Sequence, residues 1–138
     1  TRWTGDWSSD VCSSDLTPQD EAGLRGSGSY PSGHTSIGWA WALLLSQIAP
    51  DRADAIIARG RNYGESRLVC NVHWQSDILE GRFMGAAAVA RLQDNPAFQR
   101  DLLAARREIE AARRSGQHSS RDCAAEEAVL KVRPQSAL

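Results

Sequence analysis

The segment at residues 35–50, TSIGWAWALLLSQIAP, limits the fold more than any other part of the sequence. Its apolar residues recur at helical spacing and also cover the other faces of a helix. The main stripe consists of Ile37, Ala40, Trp41, Leu44, Leu45 and Ile48, and the other faces carry Trp39, Ala42 and Leu43. A helix that is apolar nearly all round is typical of a buried core helix. The segment is too short to cross a bilayer and no apolar run of about 18 residues occurs elsewhere, so we predict no membrane span.

Helix start and stop signals divide the rest of the chain into further helices. Pro50 ends the first helix, Asp51 is suited to cap the second, and Gly64 is expected to stop it. Asn95 and Pro96 match a cap followed by proline in the first turn of a later helix. The predicted helices after the first cover about residues 52–63, 71–93, 96–114 and 124–130. Because no segment shows the alternation of apolar and polar residues that is typical of a strand, we predict an all-α helical bundle.

The charge composition argues against a nucleic-acid surface. The 138 residues carry a formal net charge of −1, and Lys131 is the only lysine among the 16 basic residues. Domains that bind nucleic acid carry an excess of positive charge on one face. We therefore expect no nucleic-acid partner, and a chain of this length is expected to form one domain.

Residues 6–16, DWSSDVCSSDL, resemble the translation of a common sequencing adapter. Segments of that kind are excluded from fold reasoning, so residues 1–16 are predicted to be non-native. Residues 17–114 then form the domain, and residues 115–138 form a flexible tail with a short helix. Cys70 and Cys123 are the cysteines outside the adapter-like run. Two cysteines define neither a disulfide pairing nor a redox compartment.

The first segment that carries chemistry is SYPSGHT at residues 29–35, directly before the core helix. Ser32 and Gly33 offer backbone N–H groups, and glycine lets the backbone approach a ligand closely. The helix N-terminus beyond them attracts an anion. His34 has a side chain that can transfer a proton near neutral pH. The alternative is an ordinary helix cap with a histidine that serves no ligand.

The second segment is GESRLVCNVHWQSD at residues 64–77. Arg67 has the side chain best suited to hold two phosphate oxygens. Asp77 follows His73 by four residues at a helix start, where the carboxylate can hold one ring nitrogen and leave the other basic. The alternative is a surface ion pair at the start of a helix, which contributes about 0.3–1 kcal/mol.

A metal site is the other chemistry that this spacing allows. Cys70, His73 and Asp77 form the pattern C-x2-H-x3-D, and His34 could supply the fourth ligand that zinc prefers. Arg67 beside such a site would repel a cation. We therefore predict neither a metal ion nor a cofactor.

Taken together, SYPSGHT and the later SR-x5-H-x3-D pattern resemble two signature motifs of the type 2 phosphatidic-acid phosphatase and haloperoxidase superfamily. Within it, residues 17–110 are similar to the bacterial class A non-specific acid phosphatases. The resemblance implies the helical bundle of the acid phosphatase and vanadium haloperoxidase type. It also implies hydrolysis of phosphate monoesters without a metal.

The resemblance further implies a role for each matching residue. His73 would attack phosphorus and form a phosphohistidine, with Asp77 orienting the ring. His34 would protonate the leaving alkoxide, and water would later cleave the intermediate. The phosphoryl oxygens would be held by a phosphate-binding group consisting of Arg67, Ser32, Gly33 and Ser66.

One motif of that family has no counterpart in this sequence. It is a lysine followed after six residues by arginine and proline, upstream of the other two. The segment that begins at Lys131 has a different gap and lies downstream. We therefore expect a bundle that is incomplete at its N-terminus and a phosphatase that is severely impaired. We also expect exposed apolar surface around Trp39, Trp41 and Leu43.

Two other functions share these motifs or their residues. A vanadate-dependent haloperoxidase would use the same residues around vanadate, and a non-catalytic helical fragment would use them only to fix a turn. Many arginines on the helices favour a periplasmic or secreted enzyme, with a signal peptide upstream, over a membrane-embedded lipid phosphatase. A homo-oligomer remains compatible with the sequence.

Overall fold

The computed structural model describes residues 28–131 except residues 71, 119 and 121. In this part of the chain every regular element is helical, which confirms the all-α prediction. The elements are α1 (Gly33–Ile48), a 3₁₀ turn (Pro50–Arg52), α2 (Ala53–Val69), α3 (Gln75–Leu92), α4 (Pro96–Arg114) and α5 (Cys123–Lys131). The adapter-like run at residues 6–16 lies outside the described residues.

Helix α1 begins at a serine cap. The Ser32 hydroxyl accepts hydrogen bonds from the Thr35 N–H at 3.2 Å and from the Thr35 hydroxyl at 2.9 Å. Its carbonyl accepts from both the backbone N–H and the side chain of Ser36. These bonds satisfy donors that a helix leaves open in its first turn, so the SYPSGHT segment sets where α1 starts.

Two predicted helix boundaries were wrong. Asp51 does not cap α2, because its carboxylate instead pairs with Arg113 of α4 at 3.0 Å. Gly64 does not stop α2, which continues to Val69. Gly64 is buried, and a Cβ placed on it would lie 2.8 Å from Thr35 Cγ2. Glycine at this position permits close helix packing and does not act as a helix end.

Helices α1, α2 and α3 form the packed unit, with α1 along both of the others. Small residues allow these close approaches. A Cβ on Gly60 would collide with Ala42, and one on Gly85 would collide with the Ser36 carbonyl. The fully buried apolar side chains near these contacts are few, and Ile78 of α3 is the most buried of them.

The prediction that α1 is buried all round was wrong. Ile37 is 63% exposed, Trp41 is 62% exposed and Leu45 is 40% exposed, one helical turn apart. The described helices pack on the other faces of α1 and leave this stripe uncovered. Trp41 thus confirms the expected exposed apolar surface, whereas Trp39 and Leu43 are half-buried. None of the described helices has both the length and the hydropathy required of a membrane span.

Candidate active site

A backbone hydrogen bond brings the two sequence motifs together. The Ser32 N–H donates to the Asp77 carbonyl at 3.0 Å, and both residues are buried. This bond corrects the expectation that the Ser32 N–H faces a ligand, because the Asp77 carbonyl already uses that donor. The two bonded residues are 45 positions apart in sequence, so the two motifs form one local structure.

Two glycines fix the approach of the three helices at this place. Thr35 of α1 is 1% exposed. A Cβ on Gly64 of α2 would lie 2.8 Å from Thr35 Cγ2, and a Cβ on Gly81 of α3 would lie 2.9 Å from Thr35 Cβ. Arg67 lies one turn after Gly64, and Asp77 lies one turn before Gly81. We call the contact among Ser32, Thr35, Gly64, Asp77 and Gly81 the junction.

The Asp77 carboxylate is the electrostatic centre of the site. It is 2% exposed. Oδ2 accepts from the Trp74 N–H at 2.9 Å, and Oδ1 accepts from the Ser76 hydroxyl at 3.3 Å. Burial raises the pKa of Asp77, but hydrogen bonds from Trp74, His73, Ser29 and Ser76 outweigh burial and hold the pKa below its usual value. Asp77 is therefore an ionised acceptor at neutral and mildly acidic pH.

The carboxylate also contacts the imidazole of His73. Nδ1 lies 3.3 Å from Asp77 Oδ2, and the His73 side chain is 13% exposed. When Nδ1 carries the hydrogen, it donates to Asp77 and Nε2 keeps its lone pair. The structure thus brings together the histidine and the aspartate in the arrangement expected of an oriented nucleophile.

Gly33 and His34 occupy the first two positions of α1. At these positions the backbone N–H groups have no acceptor within the helix and the helix field favours an anion. Both residues are exposed, and a Cβ on Gly33 would meet no atom within 4 Å. Among the described residues there is therefore open space beside Gly33, where an anion could approach the backbone.

Arg67 and Ser66 lie in the last turn of α2. Arg67 is half-buried. The Ser66 hydroxyl donates to the Tyr63 carbonyl at 2.7 Å. A phosphate could use that proton only after the hydroxyl rotates, so Ser66 is not placed to donate to a phosphate in this structure.

Sequence reasoning missed Ser29, Trp74 and Ser76 as partners of Asp77. The Trp74 contact had a recognisable signal, because an aspartate at the third helical position commonly accepts from the N–H of the capping residue. Trp74 is that cap for α3, and Asp77 is at that position. The Ser29 contact depends on how residues 29–32 fold back on α3, for which sequence spacing gives no signal.

The described residues contain no group of three or more histidine, cysteine, aspartate or glutamate side chains placed to hold a metal ion. Cys70 is buried and Cys123 is exposed on α5. His73 Nδ1 faces Asp77, so this imidazole nitrogen is used within the protein.

A sequence-family comparison covers the same motifs. The PAP2 superfamily matches residues 2–95, which include both motifs and the whole junction. This chain belongs to the PAP2 superfamily. The pair of His73 with the buried Asp77 and the exposed N-terminus of α1 are therefore features of a PAP2 domain, and the helical bundle agrees with the helical fold of that superfamily.

Relatives within the PAP2 superfamily include three bacterial phosphatases. The chain is 51% identical over 92 residues to the non-specific acid phosphatase of Salmonella typhimurium and 50% identical over 91 residues to that of Providencia stuartii. It is 48% identical over 99 residues to the acid phosphatase of Zymomonas mobilis. These alignments cover 67%, 66% and 72% of this chain and 37%, 37% and 38% of the relatives. The chain spans little more than a third of the length of the curated relatives it matches.

Proposed function

We propose that this chain carries the nucleophile and part of the phosphate site of an acid phosphatase that hydrolyses phosphate monoesters through a phosphohistidine. The observation that carries the proposal is the buried Asp77 carboxylate, which contacts His73 Nδ1 at 3.3 Å while its backbone carbonyl holds Ser32. The names of the Salmonella, Providencia and Zymomonas relatives support the reaction class.

In the first step His73 Nε2 attacks phosphorus, and the bond from phosphorus to the alkoxide oxygen breaks. Asp77 keeps the proton on Nδ1 and stabilises the charge that develops on the ring. His34 donates a proton to the leaving alkoxide, and a positioned acid of this kind contributes on the order of 10²–10⁴ in rate. The products of this step are an alcohol and a phosphohistidine.

In the second step a water molecule attacks the phosphohistidine. The phosphorus–nitrogen bond breaks, inorganic phosphate forms, and the electron pair returns to His73 Nε2. His34, which lost its proton in the first step, takes one from the attacking water. Both histidines then regain their starting protonation.

The phosphoryl oxygens gain negative charge in both steps and need fixed positive groups. Arg67 supplies a guanidinium in the last turn of α2, and the Gly33 N–H supplies a donor at the open end of α1. Ser32 could contribute only through its hydroxyl, because its N–H is bonded to the Asp77 carbonyl. Its side chain is fully buried against Thr35, so the start of α1 must shift before a phosphate contacts it. Ser66 is a further ligand once its hydroxyl turns away from Tyr63.

We further propose that residues 17–114 belong to the catalytic domain and that the protein is periplasmic or secreted. The activity of this chain is expected to be severely impaired. Its only lysine is Lys131, so it contains no lysine–six–arginine–proline motif to supply two more cationic ligands. Loss of two such ligands costs about 10² or more in rate.

The test is hydrolysis of 4-nitrophenyl phosphate at acidic pH by this chain, its variants and the Salmonella phosphatase. His73→Ala should abolish the activity of the chain, whereas the same substitution at exposed His118, in the link after α4, should leave it unchanged. Activity that does not depend on His73 would contradict the proposed mechanism. Activity equal to that of the Salmonella enzyme would contradict the proposed impairment.

A further inference from the structure

Two exposed aromatic side chains are next to the candidate catalytic residues in sequence and have no part in the mechanism above. Tyr30 precedes the Pro31-Ser32-Gly33-His34 segment, and Trp74 directly follows His73. Each side chain is 60% exposed. Large aromatic side chains with this much surface in water are a common feature of binding sites.

The backbone on which each ring stands is anchored at Asp77. The Ser29 side chain bonds the carboxylate, and the Ser32 N–H donates to the Asp77 carbonyl at 3.0 Å, so residues 29–32 lie against Asp77. The Trp74 N–H donates to Asp77 Oδ2 at 2.9 Å. Tyr30 and Trp74 therefore belong to two chain segments that are both bonded to Asp77, the residue that contacts the nucleophile.

The combination of a fixed backbone and an exposed ring suits the recognition of a small molecule. The backbone bonds hold both segments at Asp77, so less conformational entropy is lost when a bound group orders the two side chains. The rings carry no charge, so they do not compete with Arg67 for the phosphoryl oxygens. Their surface is available to the part of the substrate that leaves.

We propose that Tyr30 and Trp74 form a subsite for the leaving group and that it favours planar aromatic leaving groups over aliphatic ones. The subsite rests on the proposed phosphatase function. An aromatic leaving group would stack on a ring face while the phosphoryl group stays between Arg67 and the N-terminus of α1. Stacking of a planar ring on one aromatic side chain corresponds to about 5- to 150-fold in affinity.

The test measures the dissociation constants of phenylphosphonate and methylphosphonate, which cannot be hydrolysed at phosphorus, by phosphorus NMR titration of the full chain. We expect phenylphosphonate to bind about tenfold more tightly. Tyr30→Ala and Trp74→Ala should each reduce this preference by at least threefold and leave methylphosphonate affinity within twofold, on the scale of one lost stacking contact. Tyr30→Phe and Trp74→Phe should retain most of it. Every variant keeps the backbone N–H groups that bond Asp77.

Trp41→Ala is the matched control, because Trp41 is exposed to a similar extent on the uncovered stripe of α1. Trp41 lines a groove between α1 and α2 together with Ile56 and Tyr63. The preference of Trp41→Ala for phenylphosphonate should equal that of the parent chain. An unchanged preference in Tyr30→Ala and Trp74→Ala would overturn the subsite, and so would an equal loss of both ligands, which would indicate a structural role. If the parent chain binds neither phosphonate, the proposed phosphate site itself fails.

Discussion

Helix α1 presents two contrasting surfaces. At its N-terminal end, the junction buries polar groups: Ser32 is 0% exposed and Thr35 is 1% exposed. On another face of the same helix, Ile37 and Trp41 are more than 60% exposed. They line a groove between α1 and α2 with a volume of about 450 Å³, together with Leu45, Ile56 and Tyr63 among others. We call these five residues the groove.

The contrast shows that burial on α1 depends on hydrogen bonding and close backbone approach as well as on hydrophobicity. At the junction, each buried polar side chain has partners, so burying it costs little. At the groove, apolar side chains stay in water because the described helices supply no surface to cover them. The junction is thus the rigid part, and it is the part that holds the candidate catalytic residues.

The largest effect is expected from Asp77→Ala. It removes the acceptor for the Trp74 N–H, the Ser76 hydroxyl and the His73 ring at once. Loss of these charge-assisted hydrogen bonds should lower the free energy of unfolding by about 3 kcal/mol, measured by urea denaturation. Asp77→Asn keeps one acceptor oxygen and should cost about half as much. A loss below about 1 kcal/mol in Asp77→Ala would contradict the rigid junction.

The next largest effect is expected from Gly81→Ala. The added Cβ would lie 2.8 Å from the Ser32 carbonyl oxygen, so the backbone must shift. Overpacking costs about 1–3 kcal/mol, and the better helix propensity of alanine returns up to about 1 kcal/mol. We expect a net loss of about 1–2 kcal/mol in thermal or urea unfolding. Gly33→Ala, where the Cβ meets open space, should change stability by less than about 0.5 kcal/mol. Equal effects at the two sites would contradict the close packing at Gly81.

Acid should weaken the junction selectively. Because the pKa of Asp77 is lower in the folded state than its unfolded value of about 3.9, its ionisation stabilises the fold at pH values above that. This contribution is fully present at pH 5–7 and is lost as the pH falls through the lower folded pKa. The stability difference between the parent chain and Asp77→Asn should therefore be constant down to about pH 5 and shrink below pH 4. A difference that grows on acidification would show that the pKa is raised.

The smallest effect on stability is expected in the groove. Trp41→Gln should change the free energy of unfolding by no more than about 0.5 kcal/mol, because the side chain is 62% exposed. It should also reduce self-association, measured by sedimentation velocity, because it removes exposed apolar surface. A loss of about 2 kcal/mol would show that Trp41 is packed in solution, and the contrast with the junction would fail.

The helical class could be predicted from sequence because helical periodicity is a local signal, and the association of the two motifs was implied by the family resemblance. The role of Gly64 could not, because a glycine that ends a helix and one that admits a neighbouring helix look alike until the neighbour is known. The exposure of Ile37 and Trp41 could not be predicted for a similar reason. Periodicity identifies apolar faces but does not show which faces find a partner.

The candidate site, too, could be predicted only in part. The Asp77–His73 contact follows from four-residue spacing at a helix start, and the structure has it. The Ser32 N–H was expected to face a ligand, but it bonds the Asp77 carbonyl. That bond depends on the tertiary approach of residues 29–32 to α3, for which neither motif contains a signal.

The most direct test of His73 as the nucleophile is to trap the intermediate. The chain would be incubated with 4-nitrophenyl phosphate and quenched in alkali, where phosphohistidine survives, and its peptides would be mapped by mass spectrometry. We predict a phosphoryl group on His73, and none in His73→Gln. Hydrolysis of the substrate with no phosphoryl group on His73, or with the group on another residue, would contradict the mechanism.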